Sequence, residues 1–225
     1  MSSNKQQQIT CPECGTIGKF TMWRSINTVL DPEMKAKVRD KSAFAYKCPK
    51  CGKTVNVDYG FLYHQMEDKI MIQYAGIESL NDVVEFFDGM RKSDDSMLRG
   101  LTDAKYILRI VKTQNELLEK LKIFDAGYDD RIIELTKAVY SVQLRDDPKM
   151  KDLKEVLFAM EEEEPVLVLF SSDGTYFGTI NMNPQLINRI TEDFKTVLPP
   201  IREDNTYIVD FQWALQQFGR KNGKD

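Results

Sequence analysis

The sequence predicts an α+β protein with a strand-rich module near the N-terminus, helices after it and a small mixed unit at the C-terminal end. Three observations support this class. Two matched cysteine pairs lie in the first quarter of the chain, β-forming residues alternate around them, and capped helical segments follow. The predicted organisation, in chain order, is a disordered tail over 1–8, a domain over 9–143, an α+β region over 147–218 and a second tail over 219–225.

The four cysteines form two matched motifs, Cys11-Pro12-Glu13-Cys14-Gly15 and Cys48-Pro49-Lys50-Cys51-Gly52. Two residues between cysteines allow one tight turn to direct both sulfurs at one ion, and the following glycine supplies the positive φ of such a turn. Two such turns make a tetrahedral four-sulfur site, which suits Zn²⁺ or an iron–sulfur cluster. The 33 residues between Cys14 and Cys48 favour Zn²⁺ in a zinc-ribbon-like module, because ferredoxin motifs group their cysteines closely.

We therefore predict that the four cysteines bind one structural Zn²⁺. With all four positions filled by protein, no coordination position is open for water, so the site is not catalytic. Two disulfides and a thioredoxin-like redox pair stay open as alternatives. Disulfide frameworks are typical of small secreted chains. A redox Cys-x-x-Cys begins a helix after a strand, whereas turn and strand residues such as Thr54-Val55-Asn56 follow here.

Alternating β-formers and capping residues predict the elements of the long domain. Strands are predicted over 19–29, 54–59, 61–74 and 106–111. Helices are predicted to start near Asp31, Ser79, Thr113 and Asp129. The first is a short insert that ends near Lys41, the second runs to about Phe87, and Gly127 ends the third. These elements give a ribbon core over about 9–75 and a helical part over 79–143, with residues 91–103 as a polar, exposed connection.

The C-terminal region is predicted to have the order α-β-β-α-β. In chain order, the predicted elements are a helix from Asp147 to Glu164, strands over 166–170 and 176–182, a helix from Asn183 to Pro199 and a strand over 207–215. Asp173-Gly174 is a strong hairpin signal between the two central strands. The four glutamates 161–164 would end the first helix as solvated surface, although a cation or a basic partner could meet them.

Composition limits the classes of function. The chain of 225 residues has a net charge of −4, but residues 1–58 carry ten basic and five acidic residues, so the remainder is strongly acidic. A basic module could meet phosphate, although scattered surface charge is the simpler interpretation. The longest apolar run, 166–170, is far shorter than the ~20 residues that span a membrane. With no apolar stretch at the N-terminus, we expect no signal peptide and a cytoplasmic location, which fits reduced thiols.

Residues that could carry catalysis are few. His64 is the only histidine, so no Ser-His-Asp or Cys-His constellation can be built without it. Its place on a predicted strand favours a structural role or a hydrogen bond to a cysteine sulfur. Asp129 and Asp130 could bind a divalent ion, but capping and the helix dipole explain acids at a helix start. No phosphate-binding glycine motif occurs.

Several segments resemble the CpXC domain family. They are the two Cys-Pro-x-Cys motifs, Ser25-Ile26-Asn27, Leu30-Asp31-Pro32-Glu33, Leu62-Tyr63-His64 and the segment 129–135. The cysteine motifs alone are shared with many zinc ribbons, whereas their order with the other segments is more specific. The resemblance covers roughly 9–143. It implies a bacterial or archaeal source and a metal-binding role for the four cysteines, and it implies no activity.

Three functions follow as expectations. The first is a zinc-stabilised, non-enzymatic interaction or adaptor module with a protein partner, without a membrane or a small-molecule substrate. The second is a nucleic-acid-binding protein that uses the basic ribbon. Its candidate stacking residues are Phe20, Trp23, Phe44 and Tyr46. The third is a metal-dependent enzyme that uses Asp129 and Asp130.

Overall fold

The computed structural model describes residues 2–92, 105–145 and 147–221. These ranges contain ten strands in three sheets and six helices, so the predicted α+β class is confirmed. Contacts divide the chain into two compact units, Met1–Leu117 and Leu118–Asp225. The division predicted from the sequence lies between 143 and 147, later in the chain than this boundary. Most of the predicted connection over 91–103 lies outside the described residues, as does the end of the predicted tail beyond 221.

The N-terminal unit is built on a five-stranded sheet with the order β1-β2-β5-β6-β7 and a separate hairpin of β3 and β4. The strands are β1 (Ser3–Thr10), β2 (Ile17–Asn27), β3 (Ala45–Lys47), β4 (Thr54–Asn56), β5 (Phe61–Gln65), β6 (Ile70–Tyr74) and β7 (Ile107–Val111). The pairs β1–β2 and β5–β6 are antiparallel, and β2–β5 and β6–β7 are parallel. All five residues of β7 are buried, as expected of a strand covered on both faces.

The N-terminal residues predicted to be a disordered tail form most of the edge strand β1, so that prediction is wrong. Residues Ser3–Thr10 pair antiparallel with β2, from Ser3 opposite Ser25 to Thr10 opposite Ile17. Nearly every side chain of β1 is exposed and polar, so the segment has no alternation of apolar residues. Backbone hydrogen bonds to β2, rather than burial of side chains, hold this strand.

Three helices begin in the N-terminal unit: α1 (Glu33–Arg39), α2 (Leu80–Lys92) and α3 (Gln114–Asp125). The short helix α1 follows Pro32 and buries Met34 and Val38, four residues apart on one face. At the start of α3, the Glu116 N–H donates to the Thr113 hydroxyl over 3.1 Å. The Glu116 carboxylate accepts from the Lys112 N–H over 2.6 Å. The capping residue predicted at Thr113 is therefore confirmed, although the glutamate reaches one residue further back.

The C-terminal unit packs helices on a three-stranded antiparallel sheet. After the later part of α3 come α4 (Asp130–Arg145), β8 (Leu153–Glu161), β9 (Glu164–Ser171), β10 (Tyr176–Asn181), α5 (Pro184–Phe194) and α6 (Phe211–Lys221). The core joins Ile133 of α4, Leu167 and Leu169 of β9, Phe194 of α5 and Trp213 of α6. No helix in the described ranges is both long enough and apolar enough to cross a membrane.

The helix predicted from Asp147 to Glu164 is wrong. Only Pro148–Met150 form a 3-10 turn, and Leu153–Glu161 form β8, which pairs with β9 along its whole length. The leucines and methionines of this segment fit a helical period, but pairing with a buried apolar strand outweighs that local preference. Glu162 and Glu163 both have positive φ, between the paired residues Glu161 and Glu164. The acidic run is therefore a two-residue hairpin turn rather than a helix end.

The strand predicted over 207–215 is also wrong, because α6 begins at Phe211. The Trp213 N–H donates to the Asp210 carboxylate over 3.0 Å, which caps the helix. Apolar and polar residues alternate in the sequence up to position 215. The buried residues Ala214 and Gln217, however, are three positions apart, which is helical spacing. The C-terminal order is thus β-β-β-α-α, with the predicted Asp173-Gly174 hairpin and the helix capped by Asn183 both present.

Candidate metal centre

Each cysteine pair lies at the tip of a β-hairpin. Cys11 and Cys14 connect β1 to β2, between the paired residues Thr10 and Ile17. The second pair, Cys48 and Cys51, connects β3 to β4 in the same way. The strand that sequence analysis missed, β1, is therefore one arm of the first hairpin and fixes the position of Cys11.

The two turns repeat one pattern of backbone hydrogen bonds. In the first, the Cys11 N–H donates to the Thr16 carbonyl over 2.9 Å, and the Gly15 N–H donates to the Cys11 carbonyl over 2.9 Å. In the second, the Cys48 N–H donates to the Lys53 carbonyl over 2.8 Å, and the glycine after the pair donates to the Cys48 carbonyl over 3.0 Å. Both glycines have positive φ, 68° and 74°, as predicted for these turns.

The fold brings the four sulfurs together. All four lie within 4.8 Å of one another. Two contacts run between the hairpins. Cys11 Sγ is 3.7 Å from Cys51 Sγ, and Cys14 Sγ is 3.6 Å from Cys48 Sγ. Four sulfurs bound to Zn²⁺ at about 2.3 Å in a tetrahedron lie about 3.8 Å apart. A disulfide needs about 2.05 Å, and all four cysteines are free. The spacing therefore fits a shared cation and does not form disulfides.

The cluster is buried on one side only. Cys11 and Cys48, the first cysteine of each pair, are 1% and 2% exposed. Cys14 is half-buried, and Cys51 is exposed. Cys14 Sγ and the Thr16 hydroxyl are 3.3 Å apart, and a hydrogen bond from that hydroxyl to the thiolate is the first cause of the lowered pKa of Cys14. A ligand in this cluster would meet solvent chiefly at Cys51.

The pKa values of Cys48 and Cys51 are shifted in opposite directions. The backbone N–H of Cys51 and other backbone donors outweigh burial and lower the pKa of Cys48 to about 6. The backbone at Lys53 lowers the pKa of Cys51, but burial and the three neighbouring cysteines raise it to about 12. Like charges at this spacing oppose one another, so the cluster cannot hold four thiolates without a cation. Metal binding would release the remaining protons.

Tyr46 lies beside the sulfur cluster, and Gly18 contacts Tyr46. The sequence predicts neither position. Tyr46 is 3% exposed, and within the described ranges its hydroxyl makes no hydrogen bond of normal geometry. Burial raises its pKa first, and charge on Cys48 and the other nearby cysteines raises it further. A Cβ atom on Gly18 would lie 2.1 Å from the Tyr46 hydroxyl oxygen, so only glycine leaves room for it.

Two of the segments that suggested a family resemblance, 25–27 and 62–64, pair in the N-terminal sheet. Strands β2 and β5 run parallel with Ser25 opposite Leu62, Ile26 opposite Tyr63 and Asn27 opposite His64. A model of the CpXC protein family matches residues 9–137, which is more than half of the chain and includes all four cysteines. The chain belongs to the CpXC family. No curated protein and no solved structure matches it. The CpXC match ends within α4, so the sheet of the C-terminal unit lies beyond it.

Three of the four aromatic residues proposed for base stacking are part of the CpXC domain core. Phe20, Phe44 and Tyr46 are each less than 9% exposed. Phe20 packs edge-on against Tyr46 and Tyr59, with ring centroids 6.4 and 6.0 Å apart. Buried rings cannot stack on bases, so only the half-buried Trp23 retains that option.

The single histidine of this CpXC protein forms a hydrogen bond with a tyrosine hydroxyl. His64 Nε2 is 3.0 Å from the Tyr106 hydroxyl, and the two rings lie 5.2 Å apart. Burial lowers the pKa of His64. This contact agrees with the structural role predicted for His64, and the ring nitrogen that it uses is directed at Tyr106 rather than at a sulfur.

The two acids proposed for an enzymatic site lie in the C-terminal unit and form ion pairs. Asp129 Oδ2 is 2.6 Å from the guanidinium of Arg131. Asp130 is fully buried and lies 3.0 Å from Lys120 Nζ. The group in the described ranges that could hold a metal is the cysteine cluster, and neither aspartate is in it. Each carboxylate thus has a structural partner.

Proposed function

We propose that this CpXC protein binds one Zn²⁺ through Cys11, Cys14, Cys48 and Cys51, and that the ion is structural. The observation that carries the proposal is the inter-hairpin spacing of the sulfurs, 3.6 and 3.7 Å, between two turns with the same hydrogen bonds. A bound divalent cation supplies the positive charge that four thiolates need. With four protein ligands it has no open position for a substrate, so its role is to join the two hairpins.

Metal analysis of freshly purified protein, prepared without chelators, tests this proposal. We expect one zinc per chain. Iron together with inorganic sulfide would indicate an iron–sulfur cluster, and clearly less than one metal per chain would contradict the site. Cys51→Ser should lower the zinc content, whereas Lys50→Ala, an exposed change in the same turn, should leave it unchanged.

We further propose that the protein acts in the cytoplasm as a non-enzymatic interaction module. A closed metal site supports this role because it stabilises a surface without offering a reactive position. Val29 and Leu30 are 54% and 59% exposed and follow each other in the loop before α1. Adjacent exposed apolar side chains are a common feature of protein contact surfaces.

Tagged protein from the native host tests the interaction role. We expect a defined protein to copurify with the wild type and to be lost from the double variant Val29→Ser with Leu30→Ser. Val197→Ser is the matched control, because this apolar residue is also exposed but lies in the C-terminal unit. If no defined protein copurifies with the wild type, the interaction role is contradicted. A partner retained by the double variant would exclude this loop as the contact.

Nucleic-acid binding is a second candidate, favoured by the charge of the second hairpin. Lys47, Lys50 and Lys53 are all exposed around the second cysteine pair. Fluorescence anisotropy with a labelled oligonucleotide over a salt series tests it, because phosphate contacts make the affinity fall steeply with salt. The double variant Lys50→Glu with Lys53→Glu should weaken binding. Affinity that does not change with salt would exclude this function.

A further inference from the structure

We propose that the Tyr46 hydroxyl donates a hydrogen bond to the Cys48 thiolate when metal is bound, and that Gly18 provides the space for it. This role of Tyr46 as a positioning residue rests on the proposed metal site. It assigns a function to a buried hydroxyl that otherwise has no hydrogen-bonding partner in the described ranges.

The placement of Tyr46 on β3 supports this assignment. Residues two apart in a strand project to the same face, so Tyr46 and Cys48, at the end of β3, share one side of the hairpin. Tyr46 is 3% exposed, and an unpaired buried hydroxyl is costly enough that proteins rarely keep one. The nearby groups that metal binding would change are the cysteine sulfurs. A thiolate is a charged acceptor and forms a stronger hydrogen bond than a thiol does.

Gly18 supplies the second, independent observation. A glycine in a strand often marks a place where another group approaches the backbone closely. Gly18 is the second residue of β2. Here that group is Tyr46: an added Cβ would lie 2.1 Å from the hydroxyl oxygen and 3.0 Å from two ring carbons. The backbone of Gly18 does not have positive φ, so close packing against Tyr46 is what requires glycine at this position.

Each cysteine turn would then have one hydroxyl donor. The Thr16 hydroxyl is 3.3 Å from Cys14 Sγ in the first turn, and Tyr46 serves the second. In the thiol form Cys14 donates to Thr16, and in the metal-bound form the hydroxyl must donate to the sulfur instead. The Thr16 contact is partly exposed to solvent, whereas Tyr46 is buried. Loss of the Tyr46 hydroxyl should therefore affect metal binding more.

Competition with a chromogenic chelator tests the proposal, using the full chain loaded with Zn²⁺. We expect Tyr46→Phe to weaken zinc binding by about tenfold, the lower end of the range for groups that bond to metal ligands. Tyr59→Phe is the matched control. Tyr59 is also buried and also packs on Phe20, but its hydroxyl faces the Ala43 carbonyl at 3.5 Å. The control should change zinc affinity by less than about twofold, because its hydroxyl bonds to no metal ligand.

A direct measurement uses the wild-type protein loaded with an NMR-active cadmium isotope. A slowly exchanging hydroxyl proton of Tyr46 that is coupled to the metal through a cysteine sulfur would confirm the hydrogen bond. Gly18→Ala should abolish that coupling by displacing the hydroxyl. This measurement decides the question even if Tyr46→Phe does not fold.

The outcomes separate this inference from the proposed site. A wild-type chain that binds neither zinc nor cadmium overturns both. A wild-type chain that binds one metal, with no coupled hydroxyl proton and with zinc affinity unchanged in Tyr46→Phe, overturns the role of Tyr46 alone.

Discussion

Replacing Lys137 with methionine should strongly destabilise the C-terminal unit, because it removes the cation from a buried ion cluster. Lys137 Nζ lies 2.7 Å from Glu119 Oε1 and 3.0 Å from Glu134 Oε2. All three side chains are less than 9% exposed. Glu119 Oε1 also accepts from the Phe158 N–H over 2.6 Å, so the cluster joins α3, α4 and β8.

The magnitude follows from what the substitution leaves behind. Methionine fills a similar volume, so the main loss is electrostatic: two buried carboxylates without their shared cation. Breaking a buried pair in this way costs about 3–5 kcal/mol. A typical domain has only about 5–15 kcal/mol of stability, so the variant should unfold at much lower denaturant concentration. Lys154→Met, an exposed change on β8, should alter stability by less than about 0.5 kcal/mol.

The pH dependence gives the cluster a second signature. Burial lowers the pKa of Lys137, but the charges of Glu119 and Glu134 outweigh it and raise the pKa above its ordinary value. A raised lysine pKa contributes stability that is complete below about pH 10.4 and is lost as the pH rises through the folded value. Wild-type stability should therefore fall at alkaline pH, and this loss should be smaller in Lys137→Met.

Urea unfolding followed by circular dichroism and by tryptophan fluorescence measures both effects. The unfolding free energy of wild type, Lys137→Met and Lys154→Met should be compared at neutral and at alkaline pH. A cost below about 1 kcal/mol for Lys137→Met at neutral pH would refute the reasoning, because it would mean that water or protonation already compensates the two carboxylates.

Three further outcomes are expected. Cys51→Ser should loosen residues 9–60 far more than residues 166–215, as hydrogen exchange of metal-loaded protein would show; equal loosening would contradict a metal role confined to the hairpins. Gly52→Ala should cost about 1–2 kcal/mol in thermal unfolding, because φ is +74° and an added Cβ meets nothing within 4 Å, so strain is the only penalty. A neighbouring serine hydroxyl and backbone donors lower the pKa of Asp173 to about 2, so Asp173 contributes stability above its ordinary pKa that is lost as the pH falls toward 2. Asp173→Asn should remove that part of the acid dependence in urea titrations at different pH values.

The two cysteine turns were predictable because their determinants are local. The Cys-x-x-Cys spacing and the following glycines specify each turn on their own, and the structure places both turns at hairpin tips. The contributions of Tyr46 and Gly18 were not predictable, because their contact joins residues 28 positions apart and has no pattern in the sequence. The same limit explains why three of the four predicted stacking residues are buried. The sequence does not show whether an aromatic ring in a short strand faces solvent or the core.

The elements that were predicted wrongly have a different cause: hydrophobic periodicity alone does not determine them. The strand β1 is polar throughout, and its pairing through the backbone is invisible to hydrophobic periodicity. In β8 and α6 the apolar residues fit two periods, and pairing with β9 or the cap at Asp210 decides between them. Periodicity also shows that α3 has a buried face without showing which core receives it. The division at Leu117 therefore could not be located from the sequence.

The sulfur contacts between the two hairpins join residues 34 and 40 positions apart, so the proposed ion would close a long loop of chain. Closing a loop of that length in a disordered chain costs about 3–4 kcal/mol of entropy, which is more than a hundredfold in a dissociation constant. Pairing of β2 with β5 and the packed aromatic rings close much of the same loop, so they share that cost with the ion. Zinc affinity should therefore report on the integrity of the whole N-terminal sheet, and substitutions far from the cysteines should weaken it.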